Sequence, residues 1–376
     1  MPLERLAFHG LRNLQAVDLE PGPRINLFIG ANGSGKTSLL EGIHVLGMGR
    51  SFRARQLRQA ISHDAHAMTL HGRIVGDPPV TIGIRRQREG GELEMRLSGE
   101  RLQRVSRLVE TLPLQLINPD AFRLLEGPPG GRREFLDWGV FHVKHDFLDT
   151  WRRFRRALKH RNALLRHGRM TDESLDAWEH ELVHWSARLD EMRRQWVEMF
   201  LPVFEDTLAE LIAIPGLSLR YLRGWDRKRE LADILRHGRN TDRQMGFTQQ
   251  GPQRAELGIR LGKRPAVDVL SRGQQKLVVS ALKLAQGRLL EEVTGRTCIY
   301  LIDDLPAELD SEHRQIFCGW LERMRCQVFI TSVDPDALVG LWQPDTRVAM
   351  FHVKHSESGQ GQLLPMDRQT SRRSSQ

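Results

Sequence analysis

Cysteine is scarce, with only Cys298, Cys318 and Cys326 in 376 residues. None stands in a Cys-x-x-Cys pair, so the spacing supports neither a zinc site nor a disulfide framework. Buried thiols in a reducing compartment are expected instead. Long apolar runs are also missing: no stretch approaches the roughly 20 residues that a membrane-spanning helix needs. The opening Met1-Pro2-Leu3-Glu4-Arg5 lacks the basic-then-apolar layout of a secretion signal. These absences point to a cytoplasmic chain with no membrane partner. Acidic residues are in deficit, 47 against 56 Lys and Arg, which leaves a net charge of +9. That excess suits a polyanionic partner, because each cation placed on a phosphate releases a counterion. With 40% hydrophobic and 27% charged residues, the composition is that of a globular chain with one large core or two ordinary ones.

Hydrophobic patterning divides the chain into three kinds of segment. Leu3 to Leu19 and Arg24 to Ile29 read as strands, and Leu39, Leu40, Ile43 and Leu46 then fall at helical spacing. Short β-like runs from Met68 to Leu97 suggest a small antiparallel subdomain. The middle of the chain is helical. Phe147, Trp151, Phe154, Leu158 and Leu165 share one face, and Gly168 to Asp172 supplies a turn and a helix cap. Leu175, Trp178, Leu182, Trp185, Leu189, Met192, Trp196, Met199 and Val203 then step by threes and fours, as in a heptad seam. Two such helices make either an antiparallel arm or ordinary core helices. Arg152, Arg153, Arg155, Arg156, Lys159 and Arg161 on the first of them form either a solvated face or a phosphate-facing stripe. Beyond Gly246, β/α alternation runs to about Leu341. Arg368 to Gln376 has the composition of a disordered tail. Phe-His-Val-Lys-His occurs at Phe141–His145 and at Phe351–His355, too short to define a structural repeat and without the carboxylates or cysteines of a metal site.

Three motifs carry chemistry. Gly30-Ala31-Asn32-Gly33-Ser34-Gly35-Lys36-Thr37 is a P-loop between a predicted strand and a predicted helix, followed by Ser38. Its glycines let backbone N–H groups curl toward phosphate, and the following helix adds its dipole. Lys36 should reach the β- and γ-phosphates of ATP, and Thr37 should ligate Mg²⁺. The apolar run Cys298 to Ile302 reads as a buried parallel strand that delivers Asp303 to the metal and Asp304 to the attacking water. Leu270-Ser271-Arg272-Gly273-Gln274-Gln275 opens a helix and is similar to the signature of ABC ATPases, with Arg272 in place of a glycine. In that family the signature serine meets nucleotide held by a second subunit, which implies roles for Ser271, Gly273 and Gln274. Leu305 to Asp310 looks like the family's D-loop. Thr331 and Ser332 stand where a histidine is usual, so the γ-phosphate sensor would be a hydroxyl or absent. Asp304 replaces the usual catalytic glutamate, and its shorter reach predicts slow hydrolysis.

The spacing of these motifs, with a short helical arm between them, resembles the RecF family of ABC/SMC-head ATPases. The stretches that carry the resemblance include Phe8 to Leu14, Gly49 to Arg53, Asn118 to Phe122, Gly127 to Asp137 and Lys159 to Leu165. Gly251-Pro252-Gln253-Arg254 departs from it, with Gln253 where the family has histidine. The resemblance implies an α/β fold, an ABC-type (Rad50/SMC head-like) P-loop ATPase with an inserted antiparallel helical arm. It divides the chain into 1–140 and 241–355 for the head, 141–240 for the arm and 356–376 for a disordered tail. It also implies Gln115 as a Q-loop sensor. Further implications are an ATP-dependent homodimer on double-stranded, gapped and single-stranded DNA, RecO and RecR as partners, and a nucleoid-associated location. A transporter nucleotide-binding subunit is the main alternative; a small-molecule kinase and a non-hydrolysing ATP-binding scaffold are weaker ones.

Overall fold

The computed structural model describes residues 2–167, 172–355 and 361–366. The turn expected after Gly168 and the tail from Arg368 lie outside the described residues. The chain forms two compact units, one from the residues up to Ala121 and from Gly295 onward, the other from Phe122–Thr294.

In chain order, β1 (Leu3–Leu11), β2 (Leu14–Leu19), β3 (Ile25–Ile29) and α1 (Lys36–Met48) come first. They are followed by β4 (Ala67–Ile74), β5 (Val80–Gln87), β6 (Glu94–Leu97), β7 (Glu100–Arg101), α2 (Ser106–Thr111) and β8 (Leu114–Ile117). The second unit holds α3 (Arg123–Glu126), α4 (Pro129–Val143), α5 (Phe147–His167), α6 (Asp172–Leu211), β9 (Leu217–Leu222), α7 (Leu231–Met245), β10 (Glu256–Leu261), β11 (Arg264–Pro265) and α8 (Arg272–Thr294). Back in the first unit are β12 (Ile299–Ile302), α9 (Leu305–Glu308), α10 (Ser311–Arg323), β13 (Gln327–Ser332), α11 (Asp336–Val339), β14 (Val348–His355) and β15 (Gly361–Met366).

The first unit is built on two sheets. One is antiparallel, in the order β2-β1-β4-β5-β6-β7. On β4, Met68, Leu70 and Ile74 turn inward while Thr69, His71 and Arg73 turn out, the alternation that one-sided burial requires. The other runs β15-β14-β3-β13-β12-β8, and every pair in it is parallel except β14 with β15. Every residue of β3, β12 and β13 is buried, as expected of a parallel sheet covered on both faces. Helix α1 packs against strands of both sheets and is buried along most of its length. That close approach requires Gly42, where an added Cβ would come within 2.5 Å of the Phe8 ring. β15 takes up part of the stretch expected to be a disordered tail. Pairing on the edge of β14 satisfies its backbone, which composition alone does not show.

The second unit is mainly helical. α6 is 40 residues long, about 60 Å at 1.5 Å per residue. α5 runs antiparallel beside it, as the contacts of Arg161 with Glu179, Arg153 with Trp185 and Asp146 with Arg188 require. α4 and α8 also pack on α6, so the signature helix shares a compact unit with the long helices. The unit boundaries fall at Ala121/Phe122 and Thr294/Gly295. The seam is corrected by one position. Leu175, Leu182, Leu189, Trp196 and Val203 are buried as expected, but the second buried row is Glu179, Ser186, Arg193, Phe200 and Thr207. Trp178 instead stacks on His160 at 4.2 Å, and Trp185 lies beneath Arg153. Polar seam positions are tolerated because they are paired. Arg161 is fully buried and bonds to Glu179, Asp242 and Thr248, and Arg193 makes a bidentate bond to Asp137. Arg161 therefore leaves the proposed basic stripe, whereas Arg155, Arg156 and Lys159 remain exposed. The two Phe-His-Val-Lys-His copies differ in conformation, one ending α4 and the other lying in β14.

Candidate nucleotide site

The parallel sheet brings the carboxyl ends of β3, β12 and β13 to one edge, where open α/β sheets place ligands. β3 runs into the P-loop, in which Gly33 (φ 80°) and Gly35 (φ 111°) adopt the left-handed backbone that glycine accepts without strain. The β1–β2 turn braces the loop: Asn13 Nδ2 donates to Gly33 O at 3.0 Å, and Ser38 Oγ donates to Asn13 Oδ1 at 3.2 Å. α1 starts with no side-chain cap and no acidic residue in its first turn, so its opening N–H groups and its dipole favour an anion. Lys36 Nζ donates to the carbonyls of Gly30 at 2.7 Å and Ala31 at 2.8 Å, and burial lowers its pKa. The Ser34 hydroxyl is buried with no hydrogen-bond partner. An orphaned hydroxyl, an ammonium resting on loop carbonyls and an uncapped helix start fit a triphosphate.

The acid pair follows β12. Asp303 N–H donates to Ile117 O at 2.9 Å, and its carboxylate accepts from Thr37 Oγ1 at 2.9 and 3.1 Å. Thr37 and Asp303 thus bring together hard oxygen ligands of the kind Mg²⁺ takes beside phosphate and water. Asp304 has left-handed backbone, φ 54° and ψ 52°. Burial raises its pKa first and Asp303 second, while Lys36 opposes them. The Thr331 hydroxyl holds both acids: it donates to Asp303 Oδ1 at 2.7 Å and accepts from Asp304 N–H at 2.8 Å. The Ser332 hydroxyl donates to Asp334 O and accepts from Asp334 N–H. Both hydroxyls weighed as γ-phosphate sensors are therefore committed within the protein, Thr331 to the acid pair and Ser332 to the next turn.

These groups line a cavity of about 790 Å³ that includes Asn32, Gly33, Gly35, Lys36, Thr37, Ser38, Asp303, Asp304 and Thr331. Gly30, Ala31 and Ser34 are not among its lining residues. Gln115 does not reach it. It sits within β8 opposite Tyr300, 2% exposed, whereas a Q-loop residue should follow its strand; Pro119 reaches the cavity instead. Other residues also line the wall: Arg12, Asn13, Arg53, Gln59, and Ile61 to Asp64. No spacing rule marks them. Arg12 comes to the wall through a left-handed turn (φ 55°), and the Gln59–Asp64 segment through the Leu11–Ile61 bridge.

Ser271, Gly273 and Gln274 belong to the second unit. Ser271 is exposed and caps α8: its N–H donates to Gln274 Oε1 at 3.0 Å, and its Oγ accepts from Gln274 N–H at 3.3 Å. This reciprocal pair is a capping box. Arg272, at the glycine position of the signature, is 79% exposed and ion-paired with Glu126.

Comparison with known proteins bears on the chain as a whole. The family described as RecF/RecN/SMC N terminal domain matches residues 2–358. A DNA replication and repair protein RecF of Chromohalobacter salexigens is 70% identical over 355 residues, 94% of this chain and 98% of its own. The protein of the same name from Pseudomonas syringae pv. tomato is 52% identical, over 94% of this chain and 97% of its own. Among solved structures, the recombination mediator protein RecF-ATPrS of the RecFOR pathway superposes with a TM-score of 0.81 at 24% identity, over 96% of this chain and 98% of its own. An Smc head bound to the C-winged helix domain of ScpA gives 0.61 at 15% identity, over 99% of each chain. At those identities the structural matches speak for the fold, an ABC/SMC-head ATPase fold.

Proposed function

The chain belongs to the RecF family of DNA replication and repair proteins, and from that premise we propose that it acts as an ATP-switched DNA clamp. The observation that carries the reading is the Thr37–Asp303–Thr331–Asp304 chain of hydrogen bonds beside the P-loop. P-loop N–H groups and Lys36 bind and orient the triphosphate, with Lys36 leaving the Gly30 and Ala31 carbonyls to do so. Thr37 and Asp303 would hold Mg²⁺, which would supply charge neutralisation to the phosphates. Asp304 takes the proton of the attacking water as ADP leaves. Its carboxylate is shorter than glutamate's, which favours slow turnover and suits a switch.

Ser271 completes the site on a second copy. Its exposure at the start of a 23-residue helix supports this, because the Ser271 hydroxyl can be reached by a partner's phosphate, which would replace the Gln274 N–H contact. Two copies closed around ATP then grip DNA, and hydrolysis releases it. The net charge of +9 supports a DNA partner, and the pathway of the solved relative supports RecO and RecR. Among the described residues no helix is long and apolar enough to cross a membrane. The relatives named RecF, not that absence, count against the transporter reading.

The test is dimerisation and DNA binding with and without ATP, for the wild type and Lys36→Met. ATP should drive both in the wild type and neither in the variant. Equal dimerisation by the two proteins overturns the clamp.

A further inference from the structure

Glu41 lies one turn into α1, four residues after Thr37, and is fully buried. A buried carboxylate is strongly unfavourable unless charge and hydrogen bonds compensate it. Here four donors do so. Arg12 approaches with Nε at 2.9 Å and Nη2 at 2.8 Å, Ser51 Oγ donates at 2.5 Å, and Arg53 Nη1 lies at 3.5 Å. The same Ser51 oxygen accepts from the N–H groups of Arg53 and Ala54, at 2.9 and 2.8 Å. One carboxylate therefore ties the P-loop helix to the β1–β2 turn and to the segment that leaves α1.

Both arginines line the nucleotide cavity, and Glu41 is the one carboxylate either pairs with among the described residues. Two cations on one anion leave an excess positive charge at this cluster, although Asp64, Asp303 and Asp304 also line the cavity. A guanidinium has five donor hydrogens. Arg12 uses three, two on Glu41 and one on Gln59 O at 3.0 Å, so two remain. A buried ion pair is weak evidence for stability, since apolar residues often pack as well. Its value here lies in direction. We propose that Glu41 is a positioning residue of the nucleotide site, fixing Arg12, and Arg53 beside it, so that their guanidinium groups meet the phosphates of the bound nucleotide. The inference rests on the cavity's being the ATP site.

A double-mutant cycle on the full chain tests it, with the affinity for a fluorescent ATP analogue as readout and thermal unfolding as the folding control. Glu41→Gln should weaken nucleotide binding about tenfold, the size of one charged hydrogen-bonded pair. The double variant with Arg12→Gln should bind no worse than Arg12→Gln alone, because Glu41 acts through Arg12. Ser51→Ala removes one donor without unbalancing charge, and covers the case in which Glu41→Gln does not fold. It should weaken binding by about threefold, and this effect too should vanish in the Arg12→Gln background. Nucleotide affinity unchanged in the folded variants, or additive effects in the cycle, overturns the proposal while leaving the site intact. A wild type that binds no ATP overturns the reading of the cavity itself, and Lys36→Met serves as the control for that outcome.

Discussion

Asp304 occupies backbone that costs a non-glycine residue about 1–2 kcal/mol, and the Thr331 hydroxyl is what receives its N–H. Thr331→Val keeps the shape but removes that acceptor, and it also removes the donor to Asp303. ATP turnover should fall about tenfold or more, since positioned proton transfer contributes at least that much. Thr331→Ser should retain most of the rate, and steady-state kinetics on the two variants distinguish hydroxyl from methyl. The pH dependence follows from burial and from Asp303, which together raise the pKa of Asp304. A base must be ionised, so the turnover rate should begin to fall with acid above the ordinary aspartate range, about 3.9. Asp304→Asn should abolish turnover across the whole profile. The stability contribution has the opposite sense. With the folded pKa above the unfolded one, protonation favours the folded state. The contribution is full below the unfolded pKa and is lost as pH rises through the folded pKa. A pH–rate profile together with a pH–stability profile separates the two effects.

Elements differ in how far their causes are local. The P-loop, β3, β12 and β13 could be read from the chain because glycine spacing and unbroken apolar runs act over a few residues. The seam of α6 could not, because its second row holds Glu179 and Arg193, whose partners lie on α5, α7 and α4. An apolar rule picks the tryptophans one position away and misses charges neutralised by distant residues. Gln115 falls inside β8, opposite Tyr300, because the strand's extent is set by its parallel partner β12. Thr331's role depends on the β12–β13 register, invisible in either strand alone. The seam itself yields a prediction. Arg161→Ala leaves buried Asp242 without its cation and Glu179 with Arg239 alone. Removing one partner of a buried pair typically costs about 3–5 kcal/mol, so chemical denaturation should show a loss of that order. Arg107→Ala, which removes an exposed pair with Glu110, should cost less than about 1 kcal/mol. At α8, Ser271→Ala removes an N-cap, worth about 0.5–2 kcal/mol. If capping were its only task, ATP-dependent dimerisation would survive in the folded variant; the clamp reading expects it to be lost.

At the scale of the whole molecule, what must be explained is how a basic chain distinguishes a grip on DNA from mere attraction to it. Charge alone gives attraction: each phosphate neutralised releases a counterion, and the logarithm of affinity falls with the logarithm of salt at a slope of about 0.9 per contact on duplex. Arg155, Arg156 and Lys159 remain exposed on α5 after Arg161 is withdrawn into the seam, so any stripe on that helix is shorter than the chain's composition suggests. A clamp made of two copies presents each copy's contacts to one duplex. Its salt slope with ATP should therefore be about twice the slope without ATP, with each contact counted at 0.9. Lys36→Met, held to one copy, should show the shallower slope under both conditions. Replacing Arg155, Arg156 and Lys159 by alanine should lower the ATP-bound slope by up to about six contacts' worth, three from each copy, if the stripe meets phosphate. Titrations of duplex DNA at four or five salt concentrations measure all of these slopes. A wild-type slope indifferent to ATP means that a single copy makes every contact and that pairing of the heads adds no hold on the DNA, whatever dimer forms in solution.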